Sequence, residues 1–246
     1  KDRDEYLALY RGSEDAIWRG DASTNYLISE VAPESIKQIS PDARIIVMLR
    51  PPVEMMHSYH SELVRHHHED ILDFHQAVAA SADRRNGLRI PPATGVPKCL
   101  DYFAISRFAP QVECYLRVFG PDAVKIVLLE DMAAAPAETL REVLRFLGVE
   151  GSPQEEMRIH NETPRHGLLE RIVKRIYGRD SVKRLTQMLL PYEDRRRLLA
   201  LLRRTERGIA RADPRDEALR QSCRSDVERL SALIGRNLGH WQPPLR

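Results

Sequence analysis

The sequence predicts an α/β fold: a three-layer arrangement in which a parallel sheet is flanked by helices, followed by a helical C-terminal part. Three observations carry this expectation. Ile45–Leu49 and Val124–Leu129 are short, unbroken apolar runs of the kind that strands buried on both faces require. The segments after these runs repeat their apolar residues at helical spacing. Strands alternating with helices imply parallel pairing, because parallel strands need a crossover connection. A chain of 246 residues can bury one sizeable core, so a single domain over 1–246 is expected.

Taken in order, Tyr6–Leu9 ends or follows an early helix, and Glu34–Ile39 is a short helix stopped before Pro41. Ala43–Leu49 is the first strand. Pro52 then suits the first turn of a helix, because its missing N–H has no partner to lose there. Val53, Met56, His60, Leu63 and Val64 form the inner face of that helix, and Ile71–Ala80 is the next. Arg84–Cys99, rich in Gly and Pro, reads as a long surface loop. Asp101–Phe119 is a long helix with a kink or break at Pro110, and Gly120-Pro121-Asp122 is a turn. Val124–Leu129 is the second strand. Pro136–Leu147 is a helix with a Leu140, Val143, Leu144, Leu147 stripe, stopped by Gly148. Beyond Leu168 the chain is helical, with breaks at Gly178, Pro191 and Pro214.

The most informative segment is Ala43–Arg50 with Pro51-Pro52-Val53-Glu54-Met55-Met56-His57-Ser58-Tyr59 after it. Ligands of open α/β sheets bind outside the carboxyl ends of the strands, where Arg50 sits. The planar guanidinium fork suits phosphate. The plain alternative is an Arg that merely faces solvent at a strand end.

This segment, with Gly20-Asp21-Ala22-Ser23-Thr24-Asn25-Tyr26-Leu27 before it, resembles the sulfotransferase family that uses 3′-phosphoadenosine 5′-phosphosulfate (PAPS). It is nearest the branch acting on glycans, the heparan N- and O-sulfotransferase type. Tyr102–Gly120, Val124–Asp131 with Pro136–Gly148, His160-Asn161-Glu162 and Leu230–Trp241 resemble later motifs of that family, in the same order. The resemblance implies a fold like that of the P-loop nucleotide kinases, PAPS as donor, the 3′,5′-bisphosphate PAP as product, and no required metal. It implies that Arg50 and Ser58 hold the 3′-phosphate, with Arg165 as a further phosphate contact. Asp21, Ser23 and Tyr26 would line the acceptor side, against the alternative of local turn and packing roles. His66 stands eight residues after Ser58, the spacing of an acceptor-side His in the glucosamine N-sulfotransferase branch, and is the candidate auxiliary base. His67 and His68 are read as hydrated surface residues.

The chain also departs from the family. Its Gly-rich phosphate loop and the Glu that serves the glycan branch as base are not found, so a preceding segment carrying both is expected. Pro51 stands where Asn or Asp is usual, Met55 where Arg is usual, and Asp21 where Glu is usual.

Composition narrows the rest. No run of 18 apolar residues occurs, so no membrane-spanning helix is expected. Cys99, Cys114 and Cys223 are odd in number and widely spaced, which suggests reduced thiols and a cytoplasmic setting. A Golgi-lumen setting applies instead if a preceding segment carries a membrane anchor. The net charge of +2 conceals a basic helical subregion, 165–214: Arg165–Arg211 holds 14 Lys and Arg against five Asp and Glu. Its Leu and Ile residues recur at helical spacing, and only two aromatic residues, Tyr177 and Tyr192, fall among the basic ones, fewer than single-strand binding would want, so no nucleic-acid partner is expected. His57 and His60, three apart, are the competing idea of a metal pair, set against His60 as a core residue. The partner is a hydroxyl- or amine-bearing acceptor (glycan, lipid or small metabolite), and oligomeric state is open. Two other classes stay in play: a nucleotide-kinase-like P-loop enzyme, and a non-catalytic module that binds polyanions through the basic helices.

Overall fold

The computed structural model describes residues 3–150 and 213–242. The expectations that fall on 151–212, namely the basic helices, the His160 loop and Arg165, lie outside the described residues. In order come α1 (Arg3–Ala8), α2 (Ala32–Ile39), β1 (Ile45–Leu49), α3 (Pro52–Arg65), α4 (Phe74–Ala79) and α5 (Ser81–Arg85). Then come α6 (Tyr102–Ser106), α7 (Phe108–Phe119), β2 (Val124–Leu128), α8 (Leu129–Ala134), α9 (Pro136–Leu147) and α10 (Pro214–Ile234). The two strands pair directly in a parallel sheet, and the class is α/β. The chain divides into two compact units, Lys1–Val47 with Pro110–Lys125 and Met48–Ala109 with Ile126–Arg246.

In the first unit Ala32, Val112, Tyr115 and Phe119 are buried. The Tyr115 hydroxyl donates to the Tyr26 carbonyl at 2.8 Å, which gives its one polar atom a partner inside the core. Burial pushes the Tyr115 hydroxyl up to about 12.

In the second unit α3 begins with Pro52 at its first position, as the sequence predicts. Val53, Met56, His60, Leu63 and Val64 are all buried, so the expected inner face is the observed one. Each apolar side chain removed from water contributes about 1.5–3 kcal/mol. The face also includes His60, whose Nε2 reaches the Ile71 carbonyl at 2.9 Å. It is a satisfied core histidine and does not pair with His57.

Three expectations need correction. The helix from Asp101 breaks at Arg107, not at Pro110. Pro110 lies in the first turn of α7, where a missing N–H costs nothing. The Asp226 carboxylate of α10 instead accepts from the Ala109 amide at 3.3 Å and supplies that turn with a cap. Second, Arg84 opens no loop: α5 contains it, and its side chain is fully buried against Glu69. Third, Val47 and Leu49 of β1 are buried while Ile46 and Met48 are exposed, the alternation of a strand covered on one face.

The helix at Pro136–Leu147 ends as predicted: Gly148 takes φ 67° and returns its amide to Arg145. Its stripe of Leu140, Val143, Leu144 and Leu147 is half-buried. Gly148→Ala should cost about 1 kcal/mol in chemical denaturation, since alanine disfavours the left-handed region.

All three cysteines are free thiols. Burial raises the Cys223 thiol to about 11, while Cys99 and Cys114 are only partly covered. The thiolate is the reactive form, so iodoacetamide should label Cys99 and Cys114 before Cys223 in the folded protein, and all three at similar rates in denaturant. Among the described residues no helix is long and apolar enough to cross a membrane.

Candidate functional site

Arg50 follows β1 directly, and α3 starts two residues later, so the guanidinium is carried on the junction between strand and helix. Pro51 and Pro52 have no N–H and the Met55 amide bonds the Pro51 carbonyl, so the first turn of α3 has only the Val53 and Glu54 amides to turn toward an anion. Arg50 is half-buried. Desolvation lowers its pKa, and the nearby Glu54 carboxylate opposes this only in part. Among the described residues no hydrogen bond or ion pair engages the Arg50 fork. A partly desolvated cation without a hydrogen-bonded carboxylate is electrostatically poor, and an anion placed there would relieve it. Glu54 is itself occupied by Arg220, 3.1 Å away.

Ser58 lies in the second turn of the same helix and is half-buried. Arg50 and Ser58 are thus carried by one rigid strand–helix unit. His66 is the C-terminal cap residue of α3, about 12 Å along the axis from Ser58 at 1.5 Å per residue. Its side chain is exposed and pairs with Glu62 at 2.8 Å. His67 takes a left-handed backbone, φ 62°, and is exposed. His68 is less idle than its expected hydrated state: its Nδ1 meets the Ala93 carbonyl at 2.9 Å, and Thr94 donates to the His68 carbonyl. These bonds pin the loop that follows α5.

Asp21, Ser23 and Tyr26 come together in the first unit. One Asp21 oxygen accepts from the Tyr26 hydroxyl at 2.8 Å and the Tyr6 hydroxyl at 2.9 Å; the other accepts from the Ser23 amide at 3.1 Å. Burial alone would raise the Asp21 pKa, but these three bonds outweigh it and hold it below the usual carboxylate range. The Asp21 bond in turn raises the Tyr26 hydroxyl. A carboxylate so held is a hydrogen-bond acceptor and a poor proton shuttle near neutrality. Tyr6 is the member of this cluster that the sequence motif does not indicate.

The closing segment has a structural role that spacing does not reveal. Trp241 is buried, and its indole N–H donates to both Glu130 oxygens at 3.0 Å. Glu130 lies on α8, immediately after β2, and also holds His240. Arg236 adds a two-pronged contact to Asp131 at 3.0 and 3.1 Å. Behind this anchor lies a cavity of about 260 Å³ lined by Pro51, Glu54, Glu217, Arg220, Trp241 and Gln242 among others. Both amide atoms of Gln242 are buried there with no partner among the described residues. The cavity therefore borders the residue after Arg50 and carries cation, carboxylate and amide groups together.

Residues 23–176 match the family described as the sulfotransferase domain. Over 131 residues, 52% of this chain, the sequence is 28% identical to bifunctional heparan sulfate N-deacetylase/N-sulfotransferase 3 of Mus musculus and 27% identical to its counterpart 1 of the same species. The matched stretch covers 14% of each of these relatives. Among solved structures, the sulfotransferase from Alicyclobacillus acidocaldarius superposes with a TM-score of 0.62 at 26% identity, over 98% of this chain and 74% of that one.

Proposed function

The chain belongs to the sulfotransferase family, and from that premise we propose that it moves a sulfuryl group from PAPS to a hydroxyl or amine of an acceptor. The observation that carries this reading is Arg50: a partly desolvated guanidinium that no hydrogen bond or ion pair engages among the described residues, at the carboxyl end of β1 and beside the first turn of α3. A 3′-phosphate supplies the anion this position lacks, and Ser58 on the same helix offers a hydroxyl to it. The sign and the place are those a donor nucleotide needs.

The reaction balances simply. The acceptor oxygen or nitrogen attacks sulfur, the bond from sulfur to the bridging oxygen breaks, and the 5′-phosphate of PAP leaves with the electron pair. The acceptor proton goes to a base. Positioning and charge stabilisation carry most of such a transfer. In this reading Arg50 and Ser58 position the donor, Asp21, Ser23 and Tyr26 contribute to the acceptor side, and His66 assists the proton transfer. Arg165, outside the described residues, is a further phosphate contact in the same proposal. The acceptor is a glycan, lipid or small metabolite, and the N-sulfotransferase relatives favour including a glycan amine in the search. No step calls for a metal.

Incubating the full chain with sulfur-35-labelled PAPS and a panel of acceptors tests this. The panel should include N-unsubstituted heparan chains, simple phenols, sterols and amino sugars. Label appearing on one acceptor class, together with PAP, is the expected result. Magnesium-dependent turnover of ATP with no label transferred would favour a kinase instead.

A further inference from the structure

Away from Arg50 and Ser58, three helices bring ligand-type side chains to one point. His57 of α3, His75 of α4 and Asp216 of α10 each offer one atom, and these atoms lie within 4.8 Å of one another. His57 Nε2 is 3.0 and 3.1 Å from the two Asp216 oxygens, and His75 Nε2 is 2.9 Å from Oδ1. The His57 ring is held in place by stacking on Phe74, with ring centres 3.7 Å apart. His75 and Asp216 are each 14% exposed, and His57 is 42% exposed, so one side stays open to entry.

His75 Nδ1 faces the Asp213 carboxylate, whose Oδ2 is 3.8 Å away, farther than a direct hydrogen bond. A cation would bind at Nε2. Nδ1 then keeps the proton and aims it at Asp213, the carboxylate–histidine–metal arrangement that orients ligands in metal sites. Asp213 is itself steadied by Arg215 at 2.8 Å.

We propose that His57, His75 and Asp216 bind a divalent transition-metal ion of the zinc class, with Asp213 orienting His75 from the second layer. Two imidazoles and one carboxylate suit such ions, whereas calcium and magnesium take oxygen ligands. At metal–ligand bonds of about 2.0–2.1 Å, tetrahedral ligand atoms sit about 3.3 Å apart. The two histidines stand 2.9–3.1 Å from Asp216, close to this spacing, and the three ligand atoms all lie within 4.8 Å of one another. The role is a clamp: the ion ties the start of α10 to α3 beside Ser58 and to α4.

The test uses the full chain after chelator treatment, with Co²⁺ as spectroscopic probe. The visible d–d bands of low-symmetry cobalt should rise to one equivalent and vanish when Zn²⁺ is added. They should be lost in His57→Gln and His75→Gln and kept in the triple variant His66→Ala, His67→Ala, His68→Ala, which removes the other histidine run. Zn²⁺ should raise the Tm of the wild type and of the triple variant by at least about 4 °C. If the single variants do not fold, this comparison of wild type and triple variant decides. A chelated wild type with no cobalt bands and an unchanged Tm would overturn the proposal, as would a signal that disappears in the triple variant.

Discussion

Arg50→Ala should weaken binding of a 3′-phosphorylated adenine nucleotide by about 30- to 150-fold. Truncating one side of a hydrogen-bonded charge pair costs about 2–5 kcal/mol. Arg50 is only half-buried, so solvent screens part of this and the lower end applies. At 1.4 kcal/mol per tenfold, about 2–3 kcal/mol gives the stated range. Arg50→Lys should recover part of the affinity, because an ammonium keeps the charge but not the two-pronged geometry. Adenosine 5′-phosphate, which lacks the 3′-phosphate, should bind wild type and variant equally. Folding should be little affected, since no bond within the described residues is broken.

The second large effect concerns stability. Glu69 and Arg84 form an ion pair with both side chains fully buried, Oε1 2.6 Å from Nη2 and Oε2 2.6 Å from Nη1. The Tyr102 hydroxyl also donates to Glu69 at 2.9 Å, and so does the Ile71 amide at 2.8 Å. Removing one partner strands a buried charge, so Arg84→Met should cost about 3–5 kcal/mol in urea unfolding. Replacing both, as Glu69→Gln with Arg84→Met, should cost less than the single change, which a double-mutant cycle measures. The pair also sets a pH dependence. Burial alone would raise the Glu69 pKa, but Arg84, the Ile71 amide and Tyr102 lower it below 4.5. A carboxyl whose folded pKa is depressed stabilises the fold above its unfolded value and loses that contribution as pH falls. Wild-type stability should therefore decline as pH drops below about 4.5, and Glu69→Gln should flatten that decline.

What the sequence reveals depends on how local the deciding interaction is. β1, α3 and α9 are legible because periodicity, Pro at a helix start and Gly at a helix end are near-neighbour effects. Arg50 is legible because its position at a strand end is a local property. The break at Arg107 is not, because the helix that follows it is capped at Ala109 by Asp226, 117 residues beyond Ala109. Arg84 reads as a loop residue until Glu69 and Tyr102 are seen around it, since burying a charge depends wholly on its partners. His57 pairs with His60 by spacing alone, yet its real companions are His75 and Asp216 from other helices. Tyr6 joins Asp21 across 15 residues, beyond the reach of the Asp21–Tyr26 motif.

The function proposed for this chain rests on its holding a nucleotide by the 3′-phosphate at Arg50. The most direct test is calorimetric titration of the full chain with 3′-phosphoadenosine 5′-phosphate beside adenosine 5′-phosphate. The first should bind at least about 30-fold tighter than the second, with that margin erased in Arg50→Ala. Equal affinity for the two nucleotides, or a margin that survives in Arg50→Ala, would contradict the proposal.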